Sequence, residues 1–386
     1  MSKIIKIDGS LGEGGGQVLR IALSLSALYK IPIEIENIRA GRPKPGLAAQ
    51  HLKGVEIARD MCNAIVKGAY IGSTRLEFNP DIDNINKTKI KKRQFTADTE
   101  TAGCIGLLAQ VALPIALFYS SNDDNDDGPI NLILKGGTNV PMGPHVEYLT
   151  QVFRPWLNKF GGDFDLTVVK RGYYPKGGGQ IHMKINPISH LKPINVIDCG
   201  DIDGISGWSY VAGSIQLNEA YKMADTAKKS LSMQLRDNDV PVPPINIEEY
   251  REDRGMAVGN GSGINIVCKT NTGCVYGGSG LGSLKRGNGK DPAQEAVEHI
   301  IKPILNHSCV DDFMQDQLII LMALANGHSR VSIGHGKLTQ HTETAVKIAE
   351  IMLKNRGYEF SLKEEENNSV NTGKFYVMEC KGVGLI

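Results

Sequence analysis

No apolar stretch of this 386-residue chain approaches the roughly 20 residues that a membrane-spanning helix needs, and the opening MSKIIKIDGS has no signal-peptide core. An intracellular protein without a membrane partner is therefore expected. Excess charge is also missing. With 43 Lys and Arg against 42 Asp and Glu the formal net charge is +1, which excludes a broad basic face coating long runs of nucleic-acid backbone and leaves room only for a local cluster that reads a chain end. No CxxC occurs, and seven cysteines spread from Cys62 to Cys380 read as reduced, mostly buried thiols, so a zinc site is not expected. Hydrophobic content of 41% and charged content of 22% are ordinary for a globular enzyme, and the length allows two domains.

What the chain has in plenty is glycine at one point. In Asp8-Gly9-Ser10-Leu11-Gly12-Glu13-Gly14-Gly15-Gly16-Gln17-Val18-Leu19-Arg20 three consecutive glycines run into an amphipathic helix. Backbone N–H groups unshielded by Cβ atoms approach an anion closely, and the following helix aims its positive end at the same place. Gly14, Gly15, Gly16 and Gln17 are thus candidate phosphate contacts, with Arg20 one turn further on. Glu13 would repel a phosphate unless a divalent cation lay between them, which points to a metal–nucleotide. The loop is neither a Walker A motif nor a GxGxxG fingerprint, and a plain strand-to-helix turn would use the same glycines.

Along the chain, strand, helix, strand and helix patterns over Lys3–Asp8, Gln17–Leu28, Ile31–Ile38 and Leu47–Cys62 lead to strands near Ala69–Phe78. The order recurs: a helix over Asp98–Leu113, a strand over Ile130–Lys135, a helix over Pro144–Phe160, and strands flanking Tyr173–Gly179. KGGGQIHM at Lys176 echoes EGGGQVLR at Glu13 and suggests duplicated units. The acidic, Asn-rich run Ser120–Gly128 reads as a surface insertion, with an acidic metal site as the alternative. The basic run Lys89–Arg93 reads as a solvated loop or a nuclear-import signal. The predicted architecture is α/β: 1–187 holds the first two units of a large domain, 188–308 a smaller inserted domain, and 309–386 the third unit.

The leading candidate nucleophile is His341, placed directly before a predicted N-cap at Thr342. The positive helix end there disfavours an imidazolium and can hold a phosphate attached to the ring. His335, six residues earlier, competes for the role. Arg39 and Arg42, three apart with no acidic residue between them, suit bidentate phosphate contacts, and Lys44 adds to the cluster. In Phe313-Met314-Gln315-Asp316-Gln317 an aromatic and polar side chains one helical turn apart suit a nucleotide base or ribose, or alternatively a core.

The glycine loop resembles the signature of the RNA 3′-terminal phosphate cyclases. IRAGRPKPGLAAQHL from Ile38, TAGCIGLLAQVALP from Thr101, KGGTNVPMGP from Lys135, RGYYPKGGGQ from Arg171, FMQDQLIILMALA from Phe313 and HTETA from His341 resemble further blocks of that family, in its order and over nearly the whole chain. The resemblance implies repeated units of two helices on a four-stranded sheet, interrupted by a smaller α/β domain. It implies that His341, with Thr344 following, attacks the α-phosphate of ATP to form histidine–AMP. Glu13 becomes the carboxylate for Mg2+ or Mn2+, and Gln50 a contact near the phosphates. Gln110, Pro144, Phe313, Asp316 and Gln317 become the nucleotide pocket, Phe313 replacing a preferred tyrosine. The implied partners are RNA 3′-phosphate ends, with no obligate protein partner, and the implied location is the nucleus or cytoplasm. The alternative is a non-catalytic cyclase-like ribosome-assembly factor; such proteins lose the glycine loop and the histidine, both present here. An enolpyruvyl-transferase-like enzyme, without covalent AMP, is a more distant rival.

Overall fold

Strand Ile5–Asp8 pairs in parallel with Ile33–Glu36, and helix Gly16–Tyr29 makes the crossover. Helix Ala49–Cys62 follows, and the hairpin Ala64–Lys67 with Leu76–Pro80 adds two antiparallel strands, the last lying against Ile33–Ile35. The sheet therefore runs first, second, fourth, third. These details belong to a computed structural model that describes residues 4–80, 92–119, 128–282, 290–366 and 373–385. The insertion Ser120–Gly128 up to Asp127, and Lys89 to Lys91 of the basic run, lie outside the described residues.

The same order recurs twice among the described residues. Strands Gln94–Asp98, Ile130–Gly136, Asp165–Gly172 and Gly179–Ile185 form the second sheet, with the short strand Ala257–Val258 added to its edge beside Arg171–Gly172. Strands Asn195–Val196, Asn326–Gly334, Glu359–Glu366 and Lys374–Val383 form the third, with helices Asp312–Leu324 and Gln340–Leu353. Each unit carries two helical segments on a four-strand core. In the second unit the latter segment is a continuous rod of Val146–Tyr148, a π-helical Leu149–Phe153 and Arg154–Lys159. Between Val196 and Asp312 stands a separate sheet of Ile202–Ala212, Ile245–Arg251, Gly261–Thr270 and Val275–Leu281, with helices Asn218–Asp237 and Pro292–Leu305.

Several sequence expectations shift. Asn195–Val196, inside the 188–308 stretch, pairs with Arg330–Val331 of the C-terminal sheet, so the third unit's first strand precedes the inserted sheet. Asp98 ends a strand, and the helix predicted from it begins at Ile105, where the Ile105 N–H donates to the Gly137 carbonyl at 3.0 Å. The Lys176 glycines lead into strand Gly179–Ile185 rather than a helix, so their likeness to the Glu13 loop is one of sequence only. Asp291 caps Pro292–Leu305, accepting from the Ala293 and Gln294 N–H groups.

Helix Gly16–Tyr29 holds the middle of the fold. Gln17, Val18, Leu19 and every residue from Ile21 to Ala27 are buried, because helices Ala49–Cys62, Ile105–Leu117 and Gln340–Leu353 pack around it. Its start is thereby brought against side chains of all three repeated units.

Candidate active site

Leaving strand Ile5–Asp8, the glycine loop turns through the left-handed region at Gly12 (φ +60°) and Gly14 (φ +57°). A Cβ on Gly12 would collide with Thr344 Oγ1. That closeness makes contacts: the Glu13 N–H donates to Thr344 Oγ1 at 3.0 Å, and Gln340 Nε2 donates to the Gly12 carbonyl at 3.3 Å. The loop of the first unit is thus bonded to the opening turn of the third unit's helix Gln340–Leu353.

His341 sits in that turn. The cap is Thr339, not Thr342, since Thr339 Oγ1 accepts from the Thr342 N–H at 3.1 Å, which makes His341 the second helical residue. Its Nδ1 lies 3.8 Å from Glu13 Oε1, and its side chain is 54% exposed. The Glu13 carboxylate is nearly buried: Oε2 is 2.6 Å from Arg42 Nη2, and Oε1 accepts from the Gln17 N–H at 3.1 Å. His335 is directed elsewhere, with Nδ1 2.7 Å from the Lys374 carbonyl and its ring edge-on to His307.

Two further helix starts meet the loop. Gln50 Oε1, at the beginning of Ala49–Cys62, accepts from the Cys104 N–H at 3.0 Å, the cap position of Ile105–Leu117. A Cβ on Gly16 would press on Arg20 Nη1 and His51 Nε2, both under 3 Å away. The starts of four helices are thus linked by contacts around the glycine loop. Arg20, Arg39 and Arg42 lie around His51, whose pKa is pushed down to about 3 by burial and then by these three guanidinium groups. A buried imidazole among three guanidinium groups suits an anion site. Arg39 is held there at φ +53°, with Nη1 donating to the carbonyls of Lys44 (3.0 Å) and Gly46 (2.7 Å).

Beside this point opens a cleft lined by helices Gly16–Tyr29, Ile105–Leu117 and Asp312–Leu324. Gln17, Arg20, Gln110, Asp316 and Gln317 supply its polar lining, and Leu113, Phe153 and Ile320 part of its apolar lining. Arg20 donates to Gln17 Oε1, while its buried Nε has no partner among the described residues; nor has the buried Gln317 Oε1. Burial raises the Asp316 carboxyl to about 6 against the opposing pull of Arg20 and His341. Buried polar atoms left unpaired in an apolar-walled cleft suit a polar ligand.

The model of the RNA 3′-terminal phosphate cyclases matches residues 11–357. The chain belongs to that family. It is 39% identical over 384 residues to the RNA 3′-terminal phosphate cyclase of Drosophila melanogaster, covering 100% of this chain and 98% of the fly protein. To the enzyme of that name from Pyrobaculum aerophilum it is 36% identical over 381 residues, 98% of this chain and 99% of the archaeal one. A probable RNA 3′-terminal phosphate cyclase of Dictyostelium discoideum is 33% identical over 380 residues, 98% of this chain and 82% of that protein.

Of the five residues expected to form the nucleotide pocket in this cyclase-family sequence, Gln110, Asp316 and Gln317 line the cleft and two, Phe313 and Pro144, stand outside its lining. Phe313 is 43% exposed, edge-on to Tyr148 at 6.2 Å and to His299 at 4.7 Å. Pro144 packs against Gly106, and its carbonyl accepts from Cys104 Sγ at 3.4 Å. Sequence reasoning missed three contributors. His51 lies among the arginines, and Thr339 caps the His341 helix. Gln315, not among the expected pocket residues, is 2% exposed with Oε1 accepting from the Thr339 N–H (3.2 Å) and Thr342 Oγ1 (3.3 Å).

Proposed function

We propose that this protein converts RNA 3′-phosphate ends to 2′,3′-cyclic phosphates, using ATP and a covalent His341–AMP intermediate. The observation that supports it most is the position of His341, in the first turn of a helix beside Glu13, where the starts of four helices are linked around the glycine loop and three arginines lie around His51. With Glu13 facing Nδ1, Nε2 is the nitrogen left to attack. It bonds to the α-phosphorus of ATP as the bond to pyrophosphate breaks. An oxygen of the RNA 3′-phosphate next takes the AMP from the histidine. The neighbouring ribose 2′-hydroxyl then attacks the RNA phosphorus, loses its proton, and expels AMP.

In this reading Arg20, Arg39 and Arg42 hold phosphate charge, with the loop N–H groups of Gly14, Gly15, Gly16 and Gln17, and Gln50 positions the neighbouring helix start. Gln110, Asp316 and Gln317 line the nucleoside cleft, with Pro144 and Phe313 near its approaches. Among the described residues no cluster of three or more His, Cys, Asp or Glu side chains could hold a metal ion. Glu13 nevertheless fits Mg2+ or Mn2+ carried mainly by phosphate and water, since Mg2+ commonly takes only one or two protein carboxylates. Such an ion would neutralise the departing pyrophosphate.

Among the described residues no helix is long and apolar enough to cross a membrane. Nuclear residence is proposed from the family and the basic run Lys89–Arg93.

The test is incubation with ATP labelled at the α-phosphate and Mg2+ or Mn2+, without RNA. Acid-labile, alkali-stable label on the protein is expected; no label on folded protein overturns the reading. A pH effect should accompany nucleotide binding. Phosphate charge arriving near Asp316 raises its pKa further, so ATP binding takes up a proton near pH 6–7, and affinity weakens as pH rises through that window. Calorimetry in two buffers of different ionisation enthalpy should detect this uptake in wild type and a reduced value in Asp316→Asn.

A further inference from the structure

The turn between strands Ala64–Lys67 and Leu76–Pro80 holds an apolar pair out to solvent. Ser73 is 2% exposed, whereas Tyr70 and Ile71 are 63% and 67% exposed, beside exposed Thr74 and Arg75. Turns ordinarily present their polar residues to water. Single exposed apolar residues are commonplace, but here two adjacent ones are held out by a closely bonded backbone. Gly72 N–H donates to the Leu47 carbonyl at 2.8 Å, Leu47 N–H to Ser73 at 3.0 Å, and Ile38 N–H to Thr74 at 3.0 Å. These bonds fasten the turn to the Ile38–Leu47 loop, which carries Arg39, Arg42 and exposed Lys44. The join is tight: a Cβ on Gly46 would collide with the Gly72 carbonyl, and the Gly46 carbonyl is itself held by Arg39 Nη1. Contacts run from His341 through Glu13 to Arg42 of this loop, and the loop's Ile38, Gly46 and Leu47 meet the backbone of Gly72, Ser73 and Thr74, next in the chain to Tyr70 and Ile71.

We propose that Tyr70 and Ile71 form a stacking platform for a base of the single-stranded RNA 3′ end, upstream of the terminal phosphate, with Arg39, Arg42 and Lys44 tracking the intervening backbone. The inference rests on the reading of the site as an RNA 3′-phosphate centre. Single-stranded nucleic acids are held in this way elsewhere, by cations along the backbone and aromatic faces for the bases, and the face accepts any base. A near-neutral chain can supply such a track because it spans only a few nucleotides.

The experiment measures binding of short, fluorescein-labelled RNAs ending in a 3′-phosphate to the full chain by anisotropy, without ATP, so that no catalytic step is needed. Tyr70→Ala should weaken binding about 5- to 100-fold, the range of one lost base stack, and Tyr70→Phe should restore it. In a series of RNAs with one abasic nucleotide at each of the last positions, wild type should show a penalty at one position that Tyr70→Ala has lost. Unchanged affinity in Tyr70→Ala, or abasic penalties identical in both proteins, overturns the platform and leaves the patch to a different partner. Self-adenylylation with ATP alone, run on the same preparations, reports on the nucleotide site separately: label on the wild type together with unchanged RNA affinity in Tyr70→Ala rejects the platform and not the chemistry.

Discussion

His341→Ala is expected to take up no label from α-labelled ATP and to lose cyclisation of RNA 3′-phosphates by a factor of about 10^4 or more, the scale on which removal of a covalent nucleophile acts. The same variant should still cyclise an RNA whose 3′-phosphate already carries AMP, because the last step joins the RNA's own 2′-hydroxyl to its phosphorus and needs no imidazole bond. Arginines and helix ends proposed to hold the phosphate remain in place in this variant. His335→Ala should label normally, since its ring is directed at the Lys374 carbonyl and not at the glycine loop. Rapid quench with the two RNA substrates checks all three statements. Label persisting in His341→Ala would remove that residue from the nucleophile role.

Asp311→Ala should produce the largest loss of stability outside the hydrophobic core. The carboxylate is 1% exposed and joins three parts of the molecule. It accepts from Tyr148 Oη at 2.7 Å in the second unit, and from the Gly277 N–H at 2.8 Å in the inserted sheet. It also caps helix Asp312–Leu324 through the Phe313 (3.0 Å) and Met314 (2.8 Å) N–H groups. Burial still pushes its pKa up to about 6, and these four donors oppose the rise. Alanine would forfeit the cap, about 1 kcal/mol, and leave a buried hydroxyl and a buried N–H unpaired at about 1–3 kcal/mol each, so a loss of about 3–7 kcal/mol is expected in urea unfolding. ATP affinity should fall with it, because the capped helix carries Asp316 and Gln317 into the cleft and Gln315 to the start of the His341 helix. Asp311→Asn should recover only part of the stability, since its amide nitrogen cannot accept from the second set of donors. Native-like stability in Asp311→Ala would show that the junction is held by apolar packing alone.

Local chemistry was legible in the order of residues. Three glycines before an amphipathic helix, an arginine pair spaced by three and a histidine at a helix start each carry their meaning within a few positions, since backbone freedom, dipole direction and side-chain reach are short-range properties. The alternation of strand and helix patterns is equally local, and with it the α/β class. Boundaries were less legible: the His341 helix is capped by Thr339 rather than Thr342 because Gln315, from a different helix, binds the Thr339 backbone N–H and the Thr342 hydroxyl. Asn195–Val196 is too short to announce its sheet, and only the pairing with Arg330–Val331 assigns it.

What the amino-acid order determined alone was which groups are available: a glycine-rich loop before a helix, paired guanidinium groups, an imidazole at a helix start and a polar helix face. Tertiary structure decided which of them meet. Glu13 and His341 are brought within 3.8 Å because the first and third units pack through buried helix faces, and His51 is driven to a pKa of about 3 because burial and three converging arginines act together. Coulomb fields and desolvation depend on distances across the folded chain, and those distances have no signature in sequence spacing.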